Sequence, residues 1–197
     1  MKFEYAPGAT PIDRDEAAGL IPTHITLQRD LNEYEEANIL EAVEWLFSRR
    51  RGDPLDGEFI HAVHRRMFQH VWKWAGTPRC SDKNIGVHWP EIPVRLRQLV
   101  GDIRSQIEHK AYAPAEIAAR FHHRLVAVHV YPNGNGRHAR LMADLLSTDL
   151  KGKRFEWGRS SLLQASELRS QYISALRAAD AGDYSLLLAF MDILDKS

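Results

Sequence analysis

The sequence predicts an all-α bundle interrupted by one small β-hairpin. Apolar residues recur at helical spacing through most of the chain after Asn32, and between Trp72 and Pro90 that spacing gives way to turn chemistry. A glycine-rich loop between two helical stretches supplies the third observation, and it carries the chemistry. In order, residues 1–30 form an irregular arm, broken by Pro7, Gly8, Pro11, Gly19 and Pro22. Residues 31–197 form a single helical domain. Asn32 is placed as the cap of its first helix, over 32–51, with Ile39, Leu40, Val43, Leu46 and Phe47 on one face and Arg49-Arg50-Arg51-Gly52 at its end. Asp56 opens a second helix carrying Phe59, Ile60, Val63, Met67, Phe68 and Val71. The segment of about 74–90 reads as a hairpin flap, because Trp74-Ala75-Gly76-Thr77-Pro78 and Asn84-Ile85-Gly86-Val87 combine turn residues with short extended pieces. Helices resume from Glu91 to Lys110 and again from Pro114, whose fixed φ suits a first turn, through Ile117, Phe121, Leu125 and Val128. A fifth starts near Arg137, a sixth spans about Ala165 to Ala179, and Asp183 caps a seventh through Leu194.

At 197 residues the chain should bury roughly 70% of its unfolded surface, enough for a core without metal or disulfide. Lys+Arg 26 against Asp+Glu 26 leaves no net charge, which argues against nucleic acid or an anionic membrane as the main partner. Nineteen of the 26 cations are Arg, a bias suited to planar recognition of phosphate or carboxylate. Cys80 is the only cysteine, so a cysteine zinc cluster is excluded and a reducing, cytoplasmic setting is expected. The N-terminus has no apolar core of a signal segment, and no run approaches 18 apolar residues.

The stretch His129-Val130-Tyr131-Pro132-Asn133-Gly134-Asn135-Gly136-Arg137-His138-Ala139-Arg140 joins a helix end, a glycine loop and a helix start. Gly134 and Gly136 allow backbone angles that turn successive N–H groups inward, and the helix start adds unsatisfied N–H groups and a positive dipole end. This is a phosphate cradle. Arg137 and Arg140, three apart, can project from one face of the first helical turn. Two cations there oppose the dipole, a cost that a bound polyphosphate would offset. His129 is the member of the set that can exchange a proton near neutral pH. Flanking cations and helix N–H groups should keep it neutral, able to take a proton from an attacking hydroxyl.

Residues 129–140 resemble the Fic motif, His-x-Phe-x-(Asp/Glu)-Gly-Asn-Gly-Arg-x-x-Arg, and the order of elements over about residues 30–195 is similar to Fic domains. The stretch from Thr23 to Asn38 is most similar to the group called mobile mystery protein B. The resemblance implies a protein adenylyltransferase, a nucleotidyltransferase moving AMP from ATP to a hydroxyl side chain of a target protein. It implies His129 as general base, and Asn135 with the Gly134 and Gly136 N–H groups as anion hole. Arg137 and Arg140 would hold the phosphates, and Asn84, Ile85, Gly86 and Val87 would form the target-docking flap. It also leaves room for a regulatory or antitoxin partner. Transfer of another phosphate-containing group, or a silent nucleotide- or partner-binding module, are the alternatives. They stay open because Asn133 stands where the motif has an acid, so Mg²⁺ would be held weakly. Tyr131 stands for the motif's Phe, and its hydroxyl needs a partner if buried.

Fic proteins often carry an inhibitory helix with the pattern (Ser/Thr)-x-x-x-Glu-(Gly/Asn), whose Glu pairs with the last motif Arg. Asn32-Glu33-Tyr34-Glu35-Glu36-Ala37 is the degenerate counterpart; spacing favours Glu36, with Glu35 beside it, and Arg140 as partner. Acids in a first helical turn are stabilising without any such role. The pairs His61/His64 and His122/His123 lack carboxylates at metal-ligand spacing. Arg49-Arg50-Arg51 reads as a basic helix end.

Overall fold

The computed structural model describes residues 13–25, 27–48, 52–158 and 165–191. Among these residues there are eight α-helices: α1 (Arg14–Ala17), α2 (Gln28–Phe47), α3 (Gly57–Phe68), α4 (Ile92–Glu108), α5 (Pro114–Val128), α6 (Asn135–Asp149), α7 (Ala165–Asp180) and α8 (Ser185–Met191). The basic triplet 49–51 and the expected last-helix end at Leu194 lie outside the described residues. None of the helices is long and apolar enough to cross a membrane.

Local chemistry accounts for most boundaries. The Asp56 carboxylate accepts the Glu58 N–H at 3.1 Å to open α3, and Pro114 occupies the first turn of α5. The Asp183 carboxylate accepts the Ser185 N–H at 2.9 Å at the start of α8. The helix α2 begins four residues before the expected cap. Leu27 precedes it in extended geometry, and Asn32 lies inside it, accepting from the Gln28 side chain at 3.0 Å. The earlier turn is drawn in by Leu31, which is buried in the main core.

Two apolar clusters hold the bundle. The larger joins Leu31, Ile60, Met67, Phe68, Trp72, Leu99, Phe121, Tyr131 and Met142. The smaller packs Ala118, Ala119 and Ala143 against Phe155, Trp157, Ala175, Leu187 and Phe190, seating α7 and α8 on α5 and α6. The most extensive helix pairing is α5 with α6, with the glycine loop at their junction.

The expected hairpin at 74–90 is corrected: no strand forms in this segment. The Arg79 N–H donates to the Val130 carbonyl at 2.9 Å and the Val87 N–H to the Val128 carbonyl at 3.4 Å. Side chains replace the ladder. Asp82 accepts the Trp89 N–H at 2.9 Å, and the Arg79 guanidinium takes the carbonyls of Ser81 and Val87. A segment whose backbone groups are met this way has no need of a partner strand.

Of the arm, residues 1–12 with Pro7, Gly8 and Pro11 lie outside the described residues. The described part contains α1 and pairs with the chain after α3 through an isolated antiparallel bridge, Leu20 with Trp72. Asp13 and Glu16 close on the Lys83 ammonium at 2.7 and 2.6 Å, and that lysine side chain is only 3% exposed. The N-terminal arm thereby covers the flap.

Candidate functional site

His129 ends α5 in the left-handed region, φ 54° and ψ 62°, because the chain must turn sharply before Pro132. Its carbonyl accepts the Arg79 Nε–H at 2.7 Å, and the residue is 5% exposed. Burial, then the Arg79 and Lys83 cations, lowers the imidazole pKa to about 4; a hydrogen bond with the Val126 backbone opposes this. At neutral pH the ring is therefore uncharged. The cations responsible come from the flap, and burial exceeds them, whereas the sequence pointed to the motif's own arginines.

Gly134 caps α6 with φ 79°, where a Cβ would meet the Phe68 ring at 2.5 Å. Gly136 has ordinary helical geometry inside α6, and a Cβ there would approach only the Tyr172 hydroxyl, at 3.7 Å. Its lack of a side chain leaves the helix start open. With no side-chain cap at Gly134, the N–H groups of Asn135, Gly136 and Arg137 begin α6 without helical acceptors. The first helical bond here is His138 N–H to the Gly134 carbonyl, 2.9 Å.

The Asn135 side chain braces the loop: its Oδ1 accepts the Tyr131 N–H at 2.9 Å and its Nδ2 donates to the Tyr131 carbonyl at 2.7 Å. With the Asn135 amide engaged inside the loop, the donors left open at this end of α6 are backbone N–H groups. Beneath the loop, His64 donates from Nε2 to the Asn133 carbonyl at 3.1 Å and accepts the Gly76 N–H on Nδ1 at 3.0 Å. Full burial holds it neutral, and the same cause lowers His138 to about 3. The Tyr131 hydroxyl is met by His61 Nδ1 at 2.9 Å and the Ile60 carbonyl at 3.3 Å.

The two motif arginines go to different neighbours. Arg137 lies over the Phe68 ring at 5.0 Å and pairs with Glu35 at 2.7 Å; Arg140 lies 5.5 Å from the Tyr172 ring centre and donates to the Gly136 carbonyl. Glu35 is 4% exposed, and its second oxygen accepts Trp72 Nε1–H at 2.6 Å. Glu36 is exposed. Of the two candidate acids, Glu35 and Glu36, the one facing the site is Glu35, and the arginine it meets is Arg137 in place of the expected Arg140. Ile85 in the flap is exposed, and Gly86 rests against His129, where a Cβ would meet the His129 Cβ at 2.5 Å.

Asn133 turns its side-chain oxygen onto the Gly134 N–H. A neutral amide oxygen already engaged does not fit a protein-held Mg²⁺ site, and no group of three or more His, Cys, Asp or Glu fit to hold a metal occurs among the described residues. Motif reading missed Arg79, Lys83, His64 and Tyr172, which lie far from the loop in sequence; only the Glu35–Glu36 pair carried a spacing signal.

Residues 54–147 match the Fic/DOC family. The chain is 29% identical over 136 residues to the protein adenylyltransferase Fic of Aedes aegypti, covering 67% of this chain and 26% of that protein. It is 28% identical over 135 residues to the protein adenylyltransferase fic-1 of Caenorhabditis elegans, covering 66% and 25%. The chain spans about a quarter of the length of these relatives. Among solved structures, BepC from Bartonella tribocorum with bound AMPPNP superposes with a TM-score of 0.69 at 16% identity, covering 91% of this chain and 96% of that one. An N-terminal Fic domain from Bartonella quintana with bound ADP gives 0.65 at 16% identity, covering 85% and 86%. The helical fold is that of these proteins, and within it residues 54–147, the motif loop included, are similar to the Fic/DOC family.

Proposed function

We propose that this protein transfers AMP from ATP to a hydroxyl side chain of a target protein. The observation that carries the reading is the placement of a neutral, buried His129 beside a glycine loop whose far side is an uncapped helix start flanked by two arginines. The relatives' names support it. In the reaction the target hydroxyl gives its proton to an unprotonated imidazole nitrogen of His129 as its oxygen bonds to the α-phosphorus. The bond from that phosphorus to the bridging oxygen breaks, and pyrophosphate leaves with the electron pair. The N–H groups at the start of α6, with Arg137 and Arg140, stabilise the charge that builds on the phosphates. The protein supplies position and electrostatics rather than a covalent intermediate.

The flap Asn84–Val87 is assigned to docking of an extended target segment, which its exposed Ile85 and its packing on His129 favour. Within the family we assign the chain to the mobile mystery protein B group, which the stretch from Thr23 to Asn38 followed by the motif-bearing core resembles. The direct test is incubation with α-³²P-ATP and γ-³²P-ATP: label should reach protein from the α position alone. Label from the γ position would indicate phosphoryl transfer, and none from either a silent module.

Two substitutions probe the site. Gly136→Ala should leave stability unchanged or raise it by up to about 1 kcal/mol, since alanine favours helix. The methyl stands beside the open N–H groups, so ATP affinity should fall by about 10-fold or more, the equivalent of one charge-assisted hydrogen bond. Calorimetric titration against thermal melting separates the two effects. Asn133→Asp places an anionic oxygen beside the phosphates and should lower the Mg²⁺ concentration needed for label transfer. An unchanged Mg²⁺ titration would place residue 133 outside the metal's reach.

A further inference from the structure

We infer that Arg79 is a positioning residue that locks the target-docking flap and His129 into one rigid unit. The reaction it serves rests on the proposed transfer, but the coupling itself is read from geometry. The Arg79 side chain is fully buried. Its Nε–H donates to the His129 carbonyl at 2.7 Å, Nη1 to the Ser81 carbonyl at 2.8 Å and Nη2 to the Val87 carbonyl, while its own N–H donates to Val130 at 2.9 Å. One guanidinium therefore joins two points of the flap, Ser81 and Val87, to the residue that ends α5.

The carboxylate near it, Asp82, is 3.7 Å away and half exposed, so backbone carbonyls satisfy most of this buried charge. That choice has a geometric result. His129 adopts a left-handed conformation that a residue with a Cβ does not favour, and the carbonyl being held is the one whose direction that conformation sets. Gly86, between the two clamped flap carbonyls, has φ 100° and lies against the His129 Cβ. A displacement of the flap must therefore move the imidazole or break the clamp. A planar fork of five donors can serve three diverging carbonyls, whereas a lysine ammonium, a single point charge, cannot.

The test uses the full chain with Arg79→Lys. Amide exchange of residues 81–88 should accelerate by about 10-fold or more with that of α3 and α6 unchanged. The His129 imidazole NMR signal should shift, and its titration should move up from about 4 toward the ordinary value. The label-transfer rate at saturating α-³²P-ATP should fall by about 100-fold while ATP affinity stays within about twofold. A flap that loosens with the His129 signal unmoved would overturn the inference, as would equal losses in ATP affinity and rate. If the lysine variant does not fold, native-state exchange of the wild type decides: Arg79 and Val87 amides opening as one unit supports the coupling, and Val87 opening about 100-fold more often overturns it. Absence of label transfer by the wild type would fail the proposed reaction alone, because exchange and the imidazole signal still report on Arg79.

Discussion

His129→Ala should lower label transfer from α-³²P-ATP by about 100- to 10,000-fold, the range a positioned general base contributes. ATP affinity should change little, because the phosphates are assigned to the α6 N–H groups, Arg137 and Arg140. The wild-type pH profile sharpens the test. The base acts only when unprotonated, and burial with Arg79 and Lys83 lowers its pKa to about 4. In the ATP-free protein the His129 imidazole followed by NMR should titrate near pH 4, and the acid limb of the transfer rate should lie below the ordinary histidine value. Transfer by the alanine variant at the wild-type rate would remove His129 from the chemistry.

Glu35→Gln should raise transfer, and it is the second large effect. In the structure the Glu35 carboxylate takes up Arg137, the cation that the proposed reaction needs for the phosphates. ATP meeting an occupied Arg137 would bind with its α-phosphate displaced, and a misplacement of 1 Å costs roughly 100-fold in rate. The glutamine keeps an oxygen for Trp72 Nε1–H while removing the charge that holds Arg137, so the expected gain is about 10- to 100-fold. Glu36→Gly serves as the comparison. That exposed residue should lose about 1 kcal/mol through helix propensity and gain no activity. A rise with Glu36→Gly and none with Glu35→Gln would reverse the assignment, and a rise with neither would leave the pair a structural contact.

The difference between these two glutamates shows where sequence reading stops. Helical spacing alone locates α3, α4 and α5, because each has an amphipathic stripe and a recognisable start such as Asp56 or Pro114. The pairing of His129 with a glycine loop and two arginines is equally local, so the motif was readable. Adjacent acids on a helix point about 100° apart, and which one faces the loop depends on the rotation of α2 on α3. That rotation is set by tertiary contacts, including Asn38 donating to the Arg66 carbonyl and accepting the His70 N–H. The flap failed for a related reason. Its turn residues promised a hairpin, but a distant helix end supplies its backbone partners through Arg79, and no pattern within residues 74–90 encodes that.

The Lys83 contact has a consequence for what counts as the folding unit. Its ammonium, almost wholly enclosed, is held by Asp13 and Glu16, some 40 residues before the segment that matches the family begins. Cutting the chain at that boundary would remove the counter-charges and their cover together, leaving the Lys83 ammonium to water and the flap without both of its ion pairs to the arm. It would also discard α2, and with it Leu31 from the main core and Glu35 from Arg137. The matching segment and the set of residues packed with it are thus different objects in this protein: the first carries the motif loop, and the second reaches back through α2 to Asp13 and Glu16, which pair with Lys83 beside the flap.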